Sequence, residues 1–133
     1  MLPASSQPSS RKTVLIVEDN ELNLRLLTDI LEYHGYTILT TRLGEPALEL
    51  ARQHRPDLIL MDIQLPDISG MEAARRLKDD DQTNTIPIIA VTAFAMSGDE
   101  SQILASGCDA YISKPFRIAE LLTLVERWTT NRP

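Results

Sequence analysis

Five short apolar runs, each followed by a stretch with helical periodicity, constrain the fold of this chain more than any other feature. The apolar runs are TVLIV, YTILT, DLILM, PIIAV and AYI. The helical stretches cover residues 20–34, 44–54, 69–79, 97–106 and 116–129. Runs such as VLIV and LILM do not alternate with polar residues, which is typical of strands that helices cover on both faces of a parallel sheet. The pattern predicts an α/β domain built from five βα units.

Helix-capping residues agree with these divisions. Asp19 or Asn20 is suited to begin the first helix and Ser69 the third, because short oxygen-bearing side chains accept hydrogen bonds from the free N–H groups of a helix. Ser97 is suited to cap the fourth helix, with Glu100 completing a capping box.

Size and composition limit the classes of protein to which the chain can belong. Its 133 residues suffice for one compact domain with its own core. No apolar stretch approaches the roughly 18 residues that a bilayer span needs, so we expect no membrane insertion. The net charge of -6 argues against nucleic-acid binding, which usually selects a basic face.

The N-terminal segment differs from the rest of the chain. Residues 1–11 are rich in Ser and Pro and show no periodicity, so we predict a flexible tail there and a single domain over residues 12–130. The segment lacks the basic start and the long apolar core of a secretion signal, and the single cysteine, Cys108, cannot form an internal disulfide. Both observations favour a cytoplasmic location.

Polar and charged side chains follow four of the five apolar runs. In chain order they are Glu18 and Asp19, Asp62, Thr92 and Lys114. In an open parallel sheet these positions lie at the carboxyl edge, where right-handed crossovers leave a crevice for ligands. Ordinary turn chemistry would favour Gly, Asn and Pro at such positions. We therefore expect three acids, a hydroxyl and an ammonium to converge on one site.

The acids in this set predict a magnesium site. Clustered carboxylates repel one another unless a cation joins them, and Mg²⁺ prefers oxygen ligands from one or two carboxylates plus water and phosphate. Asp19 and Asp62 are the expected direct ligands, with Glu18 acting through water. One Asp62 oxygen would remain free to attack phosphorus, and Lys114 with the Thr92 hydroxyl would neutralise the transferred phosphoryl group.

Four segments carry a resemblance to a known family. VLIVEDNELN, LILMDIQLPDISG, VTAFAMSGDE and DAYISKP resemble the motifs of receiver domains in two-component response regulators (the CheY-like superfamily), over essentially the whole of residues 12–128. Within this family, the sequences of these segments most resemble those of single-domain members that regulate cell division. The resemblance implies a (βα)5 flavodoxin-like fold, with five parallel strands in the order 2-1-3-4-5 and helices on both faces.

The resemblance also implies roles for individual residues. Gln64 would offer its backbone carbonyl to Mg²⁺. Thr92 and Tyr111 would form the pair of switch residues that respond to phosphate, and Lys114 would bind the phosphate. The peptide bond between Lys114 and Pro115 is expected to be cis, which only about 5% of X-Pro bonds are in folded proteins.

The function that follows is that of a phosphorylatable signalling switch. Asp62 would receive phosphate from the phosphohistidine of a histidine kinase or of a histidine phosphotransfer protein. Self-phosphorylation and self-dephosphorylation would be its only chemistry, so we do not expect a conventional enzyme. The output would be phosphorylation-dependent binding of other proteins through the face built from the fourth helix, the fifth strand and the fifth helix.

Three rival functions share parts of this pattern. A phosphatase of the haloacid dehalogenase type also uses an aspartyl nucleophile, but it needs a second acid two residues later, where this chain has Gln64. A flavodoxin-like flavin carrier would need a phosphate-binding hydroxyl and glycine loop where this chain has the acidic EDNELN. A receiver domain taken from a hybrid histidine kinase or a transcription factor remains open as an alternative.

Overall fold

A computed structural model of the chain describes residues 11–93 and 99–130. Five strands and five helices alternate along this part of the chain. The strands are β1 (Thr13–Val17), β2 (Thr37–Thr41), β3 (Leu58–Met61), β4 (Ile88–Thr92) and β5 (Ala110–Ser113). The helices are α1 (Glu21–Tyr33), α2 (Gly44–His54), α3 (Gly70–Asp79), α4 (Asp99–Ala105) and α5 (Ile118–Thr130). Residues 1–10 of the expected tail, and Ser97 as the expected cap of α4, lie outside the described residues.

All five strands are parallel and lie in the order β2-β1-β3-β4-β5. This confirms the (βα)5 flavodoxin-like fold. The order reverses between β1 and β3: the chain builds β2 on one side of β1 and then continues on the other side. Loops at the carboxyl ends of these two strands therefore diverge, which leaves a crevice at that point of the edge.

Each central strand serves two cores, which explains its unbroken apolar sequence. In β1, Leu15 packs with α2, α3 and α4 on one face of the sheet, and Ile16 packs with α1 and α5 on the other. In β3, Ile59 and Leu60 divide in the same way. Because successive side chains of a strand point to opposite faces, both faces must be apolar when helices cover both.

The first and third helices begin as their capping residues predict. The side chain of Asn20 accepts a hydrogen bond from the Asn23 N–H at 2.9 Å, and that of Ser69 accepts one from the Met71 N–H at 3.1 Å. Helix α2 differs, because its N-cap residue, Leu43, has no side chain that can accept such a bond.

Polar contacts at the amino edge of the sheet hold strand ends together. The Asp57 carboxylate accepts a hydrogen bond from the Thr13 N–H at 2.8 Å, so that Asp57 ends the turn before β3 instead of beginning the strand. The Asp109 carboxylate accepts one from the Ile88 N–H at 2.8 Å and one from the Lys78 ammonium at 3.0 Å. Each of these carboxylates thus binds a backbone N–H group at the start of a strand.

The helices are short. Among the described residues, no helix combines the length and the apolar character needed to cross a membrane.

Candidate functional site

The carboxyl ends of β1 and β3 bring two acids together. Val17 and Met61 are paired residues in these neighbouring strands, and the Asp62 N–H donates to the Val17 carbonyl at 2.9 Å. Glu18 directly follows Val17 and Asp62 directly follows Met61, so the two acids lie side by side at the edge of the sheet. Both are buried, with 2% and 8% of their surfaces exposed.

Lys114 joins these two acids. Its ammonium donates to Glu18 Oε1 at 2.9 Å and to Asp62 Oδ2 at 2.8 Å. Lys114 follows β5, at the far side of the sheet, and its backbone N–H donates to the Thr92 carbonyl at 3.0 Å. The long lysine side chain therefore reaches back across the end of β4 to the acids.

One ammonium is shared by two carboxylates, and the acid–base properties of the site reflect this. Burial raises the pKa of the Glu18 carboxyl; the hydrogen bond from Lys114 opposes that shift, and the charge of Asp62 adds to it. Burial lowers the pKa of Lys114, but the hydrogen bonds to Asp62 and Glu18 outweigh it, so the pKa lies above its usual value. Lys114 is held as a cation, while burial and the neighbouring Asp62 charge both disfavour the ionised form of Glu18.

Asp19 lies apart from this cluster. Its side chain is half exposed, and one carboxylate oxygen lies 3.9 Å from the Arg42 guanidinium. Arg42 also donates from Nε to the Asp19 backbone carbonyl at 3.0 Å. Across residues 11–93 and 99–130, no three acidic, histidine or cysteine side chains are gathered closely enough to hold a metal ion together. The structure thus brings together two of the three acids.

The donor set still fits Mg²⁺. This ion takes one or two carboxylates and fills its remaining positions with carbonyls, water or phosphate. Asp62 offers a carboxylate at the mouth of the crevice, where its Oδ1 accepts the Gln64 N–H at 3.2 Å. Asp19 is in the neighbouring loop. The Glu18 and Asp62 carboxylates share the single ammonium of Lys114, so a further positive charge beside them would be favourable.

The remaining predicted residues lie on β4 and β5. Thr92 is the last residue of β4 and is fully buried. Tyr111 pairs with Ala90 in the neighbouring strand and is half-buried against the core on the α2–α3–α4 face. It also lines a groove of 440 Å³ along α5. The peptide bond between Lys114 and Pro115 is cis.

A second groove adjoins the site on the side of α1. It has a volume of 530 Å³, includes Lys114 in its wall and is otherwise lined mainly by apolar residues. Leu26 and Ile118 belong to it and are about half exposed, and Leu22 beside it is 75% exposed. An apolar surface therefore lies next to Lys114, the residue that binds Asp62.

Sequence reasoning assigned no role to two residues that shape the site. A Cβ atom at Gly70 would collide with the Asp62 carbonyl and would lie 2.8 Å from Ile63 Cα, so only glycine allows α3 to begin this close to Asp62. The glycine at the end of LILMDIQLPDISG was a signal for such a close approach. Asp67 caps α2 from a distance, and the signal was the absence of a capping side chain at Leu43.

A doubly wound fold with acids and a lysine at the carboxyl edge defines a class of phosphate-accepting signalling domains. The family model for the response regulator receiver domain matches residues 14–126. The chain belongs to this family. It is therefore a phosphoaccepting signalling domain and not a conventional enzyme.

Among the members of this family, the chain is similar to regulators of one named type. The chain is 56% identical over 117 residues to the polar-differentiation response regulator DivK of Brucella anthropi, covering 88% of this chain and 95% of that protein. It is 55% identical, with the same coverage, to the protein of that name in Brucella ovis.

Solved structures agree on the fold and the site class. The receiver domain of the sensor histidine kinase PA1611 from Pseudomonas aeruginosa, solved with a magnesium ion in its active-site cleft, matches with a TM-score of 0.84 and 36% identity. That match covers 90% of this chain and 98% of the other. A complex of the Saccharomyces cerevisiae phosphotransfer protein Ypd1 with the receiver domain of Ssk1 matches with a TM-score of 0.82 and 32% identity, covering 90% and 89%. Receiver domains work with a histidine kinase or a phosphotransfer protein, and they coordinate Mg²⁺ in the active site.

Proposed function

We propose that Asp62 is the residue that accepts the phosphoryl group. The observation that carries this proposal is the Lys114 ammonium, 2.8 Å from Asp62 Oδ2 and 2.9 Å from Glu18 Oε1. One Asp62 oxygen attacks phosphorus, the P–N bond to the donor histidine breaks, and the imidazole leaves with the electron pair and takes up a proton. Lys114 is within reach of a phosphoryl oxygen on Asp62, where its positive charge stabilises the added negative charge.

Mg²⁺ would be held by Asp19, Asp62 and the Gln64 backbone carbonyl, with Glu18 acting through water. When bound, it would offset negative charge on the phosphoryl oxygens. Glu18 keeps a second role that does not depend on the ion, because its carboxylate fixes the Lys114 ammonium beside Asp62. Its other oxygen accepts the Asn20 N–H at 3.2 Å, which orients the side chain.

Intact-protein mass spectrometry with acetyl phosphate and Mg²⁺ tests the acceptor. We expect the wild-type protein to gain one phosphoryl group and Asp62→Asn to gain none. Asp109→Asn is the matched control, because it removes a partly buried, lysine-bound carboxylate at the opposite edge of the sheet. The proposal is wrong if Asp62→Asn gains the same mass at the wild-type rate.

The donor protein is a histidine kinase or a histidine phosphotransfer protein, and we propose that it contacts the apolar groove beside Lys114. Its imidazole must reach Asp62, which Lys114 binds, and Leu26 lines the groove together with Lys114. Leu26→Asp should slow transfer from the phosphorylated donor while leaving uptake from acetyl phosphate unchanged. Leu104→Asp on α4, where the leucine is similarly exposed, is the control. Equal slowing with both phosphate sources would place the defect in Asp62 chemistry instead.

The output is proposed to run through Thr92 and Tyr111 to the face formed by α4, β5 and α5. A phosphoryl oxygen on Asp62 would draw the Thr92 hydroxyl toward it, because that charge-assisted hydrogen bond exists only in the modified state. The space left beside β4 would admit the ring of Tyr111, which lines the groove along α5. The face presented to an output protein would then change shape.

Removing the Thr92 hydroxyl tests this route. Thr92→Ala should still accept phosphate on Asp62, yet lose most of the phosphorylation-dependent change in affinity for its protein partner. The affinity is measured with and without acetyl phosphate for both proteins. A full wild-type difference in Thr92→Ala would remove Thr92, and with it Tyr111, from the output.

The biological setting is proposed from the relatives. Similarity to the polar-differentiation response regulators DivK supports a role in polar differentiation. We propose that this role extends to cell division and that a receiver domain over residues 12–130 performs it in the cytoplasm. Transfer rates from every histidine kinase of the source organism would identify the donor. If cells that lack the fastest donor divide and polarise normally, this setting is wrong.

The proposed domain limits have a test of their own. A chain cut to residues 12–130 should take up phosphate at the wild-type rate.

A further inference from the structure

Helix α2 begins without a capping side chain of its own. Its N-cap residue is Leu43, and the first N–H groups of a helix have no partner within the helix. Such groups need an acceptor from elsewhere. In this protein the acceptor comes from the β3–α3 loop (residues 63–69), which starts at the phosphate-accepting end of β3.

Asp67 supplies that acceptor with both of its carboxylate oxygens. Oδ1 accepts the Gly44 N–H at 2.8 Å, and Oδ2 accepts the Glu45 N–H at 2.7 Å. Desolvation opposes ionisation of Asp67, but the backbone donors of Glu45 and Gly44 outweigh it, and the pKa of Asp67 lies below its usual value. The carboxylate is therefore charged, and it meets the positive end of the helix dipole.

Packing holds the same two segments together. A Cβ atom at Gly44 would lie 2.7 Å from Ile68 Cγ1 and 3.4 Å from Leu65 Cδ1, so the start of α2 lies directly against the β3–α3 loop. The loop is also closed at its base, because the Gly70 N–H at the start of α3 donates to the carbonyl of Ile63, the first residue of the loop, at 2.8 Å. The loop is thus held in a closed shape and tied to α2.

The start of α2 is in turn connected to Asp19. Arg42 lies two residues before Gly44, donates to the Asp19 carbonyl at 3.0 Å and faces the Asp19 carboxylate. Contacts therefore run from the β3–α3 loop, which contains Gln64, through Asp67 to α2. From the start of α2 they continue through Arg42 to Asp19. They link the loops that carry Asp19 and Gln64, two of the proposed Mg²⁺ ligands.

We propose that Asp67 is a positioning residue for Mg²⁺ binding. By capping α2 it fixes the β3–α3 loop, and with it the Gln64 carbonyl, relative to Asp19. The inference rests on the proposed Mg²⁺ site at Asp62. A residue that orients metal ligands from outside the coordination shell commonly changes metal affinity by about tenfold or more when it is removed.

Calorimetric titration with Mg²⁺ tests the proposal in four proteins: the wild type, Asp67→Ala, the double variant Leu43→Ser with Asp67→Ala, and Asp109→Ala. Leu43→Ser gives α2 a capping side chain of its own but does not tie the helix to the loop. The double variant therefore separates helix capping from loop positioning. Asp109→Ala removes another carboxylate that accepts a backbone N–H group, at the edge away from the site. Urea unfolding of each variant measures its stability.

We expect Asp67→Ala to bind Mg²⁺ about tenfold more weakly than the wild type. The double variant should regain stability but not Mg²⁺ affinity, and Asp109→Ala should lose stability but keep its affinity. The inference is overturned if Asp67→Ala binds Mg²⁺ like the wild type, or if the added serine restores the affinity. Absence of Mg²⁺ binding to the wild type would instead overturn the proposed site itself.

Discussion

The two edges of the sheet treat charge in different ways. At the amino edge, the Lys78 ammonium donates to one carboxylate, that of Asp109, and to the Ile86 carbonyl, and Asp109 also binds a backbone N–H group. At the carboxyl edge, Glu18 and Asp62 share the single ammonium of Lys114. In the pair at the amino edge, one positive charge therefore meets one negative charge. The carboxyl edge carries more negative charge than its lysine balances, which is the state that a divalent cation or a change of covalent charge can alter.

The largest expected effect comes from closing the space between α3 and Asp62. Gly70→Ala places a methyl group against the Asp62 carbonyl and Ile63 Cα. Because backbone atoms cannot yield as side chains do, we expect a loss of about 3 kcal/mol in unfolding free energy. Gly35→Ala at the amino edge is the control. It has a positive φ but open space around it, and it should lose about 1 kcal/mol from backbone strain alone. Urea unfolding measures both, and equal losses would contradict the close approach at Gly70.

Mg²⁺ should stabilise the protein through the carboxyl edge only. At a free concentration ten times its dissociation constant, a ligand that binds only the folded state adds about 1.4 kcal/mol to the unfolding free energy. We expect this increase in the wild type and in Asp109→Asn, and its loss in Asp62→Asn. Thermal unfolding with and without Mg²⁺ gives the comparison. If Mg²⁺ still stabilises Asp62→Asn, the ion binds somewhere other than the proposed site.

Without Mg²⁺, neutralising one acid at each edge should have different consequences. Asp109→Asn should cost about 1 kcal/mol, because it weakens charge-assisted hydrogen bonds that are partly exposed to solvent. Asp62→Asn should cost nothing measurable or should stabilise the protein, because Glu18 then has Lys114 to itself. Urea unfolding in chelator checks both variants. A clear loss in Asp62→Asn would mean that the carboxyl edge is balanced after all.

The last comparison needs no substitution and concerns Cys108, just before β5. This thiol is buried, with 5% of its surface exposed. Burial raises its pKa, the Ser106 hydrogen bond opposes that shift, and the charge of Asp109 adds to it. A raised pKa leaves less of the reactive thiolate at pH 8 than the unfolded chain has. Iodoacetamide should therefore leave the folded protein unlabelled in the time that labels the urea-unfolded protein completely. Equal rates would show an amino edge that opens readily.

Features of the fold that neighbouring residues determine could be predicted from the sequence. Features that depend on residues far apart in the sequence could not. All five strands and helices followed from local patterns, because a strand buried on both faces must be apolar and a helix must show its own period. The errors in their limits have local causes as well. Asp57 was assigned to the third strand, but its carboxylate binds the Thr13 N–H and it belongs to the turn.

The positions of site residues that follow from the backbone topology could be predicted. The directions of their side chains could not. Strand ends bring Glu18, Asp62 and Lys114 together, and topology alone suggested that meeting. The Asp19 side chain faces Arg42, which comes from another loop and has no signal in the sequence near Asp19. The Asp67 cap joins residues 22 and 23 positions apart. Only the unsuitable Leu43 hinted that a distant group was needed.

The strand order also governs how the chain must fold as the ribosome makes it. β1 is synthesised first, but its neighbour on one side is β3, which emerges only after β2 and α2. Until then the VLIV segment has one open edge and an unfinished core on each face. Sheets built from such distant pairings form slowly, and exposed apolar strands are prone to aggregate in the meantime. Nascent chains that stop before β3 should therefore depend on chaperones, whereas those that include it can begin to protect themselves.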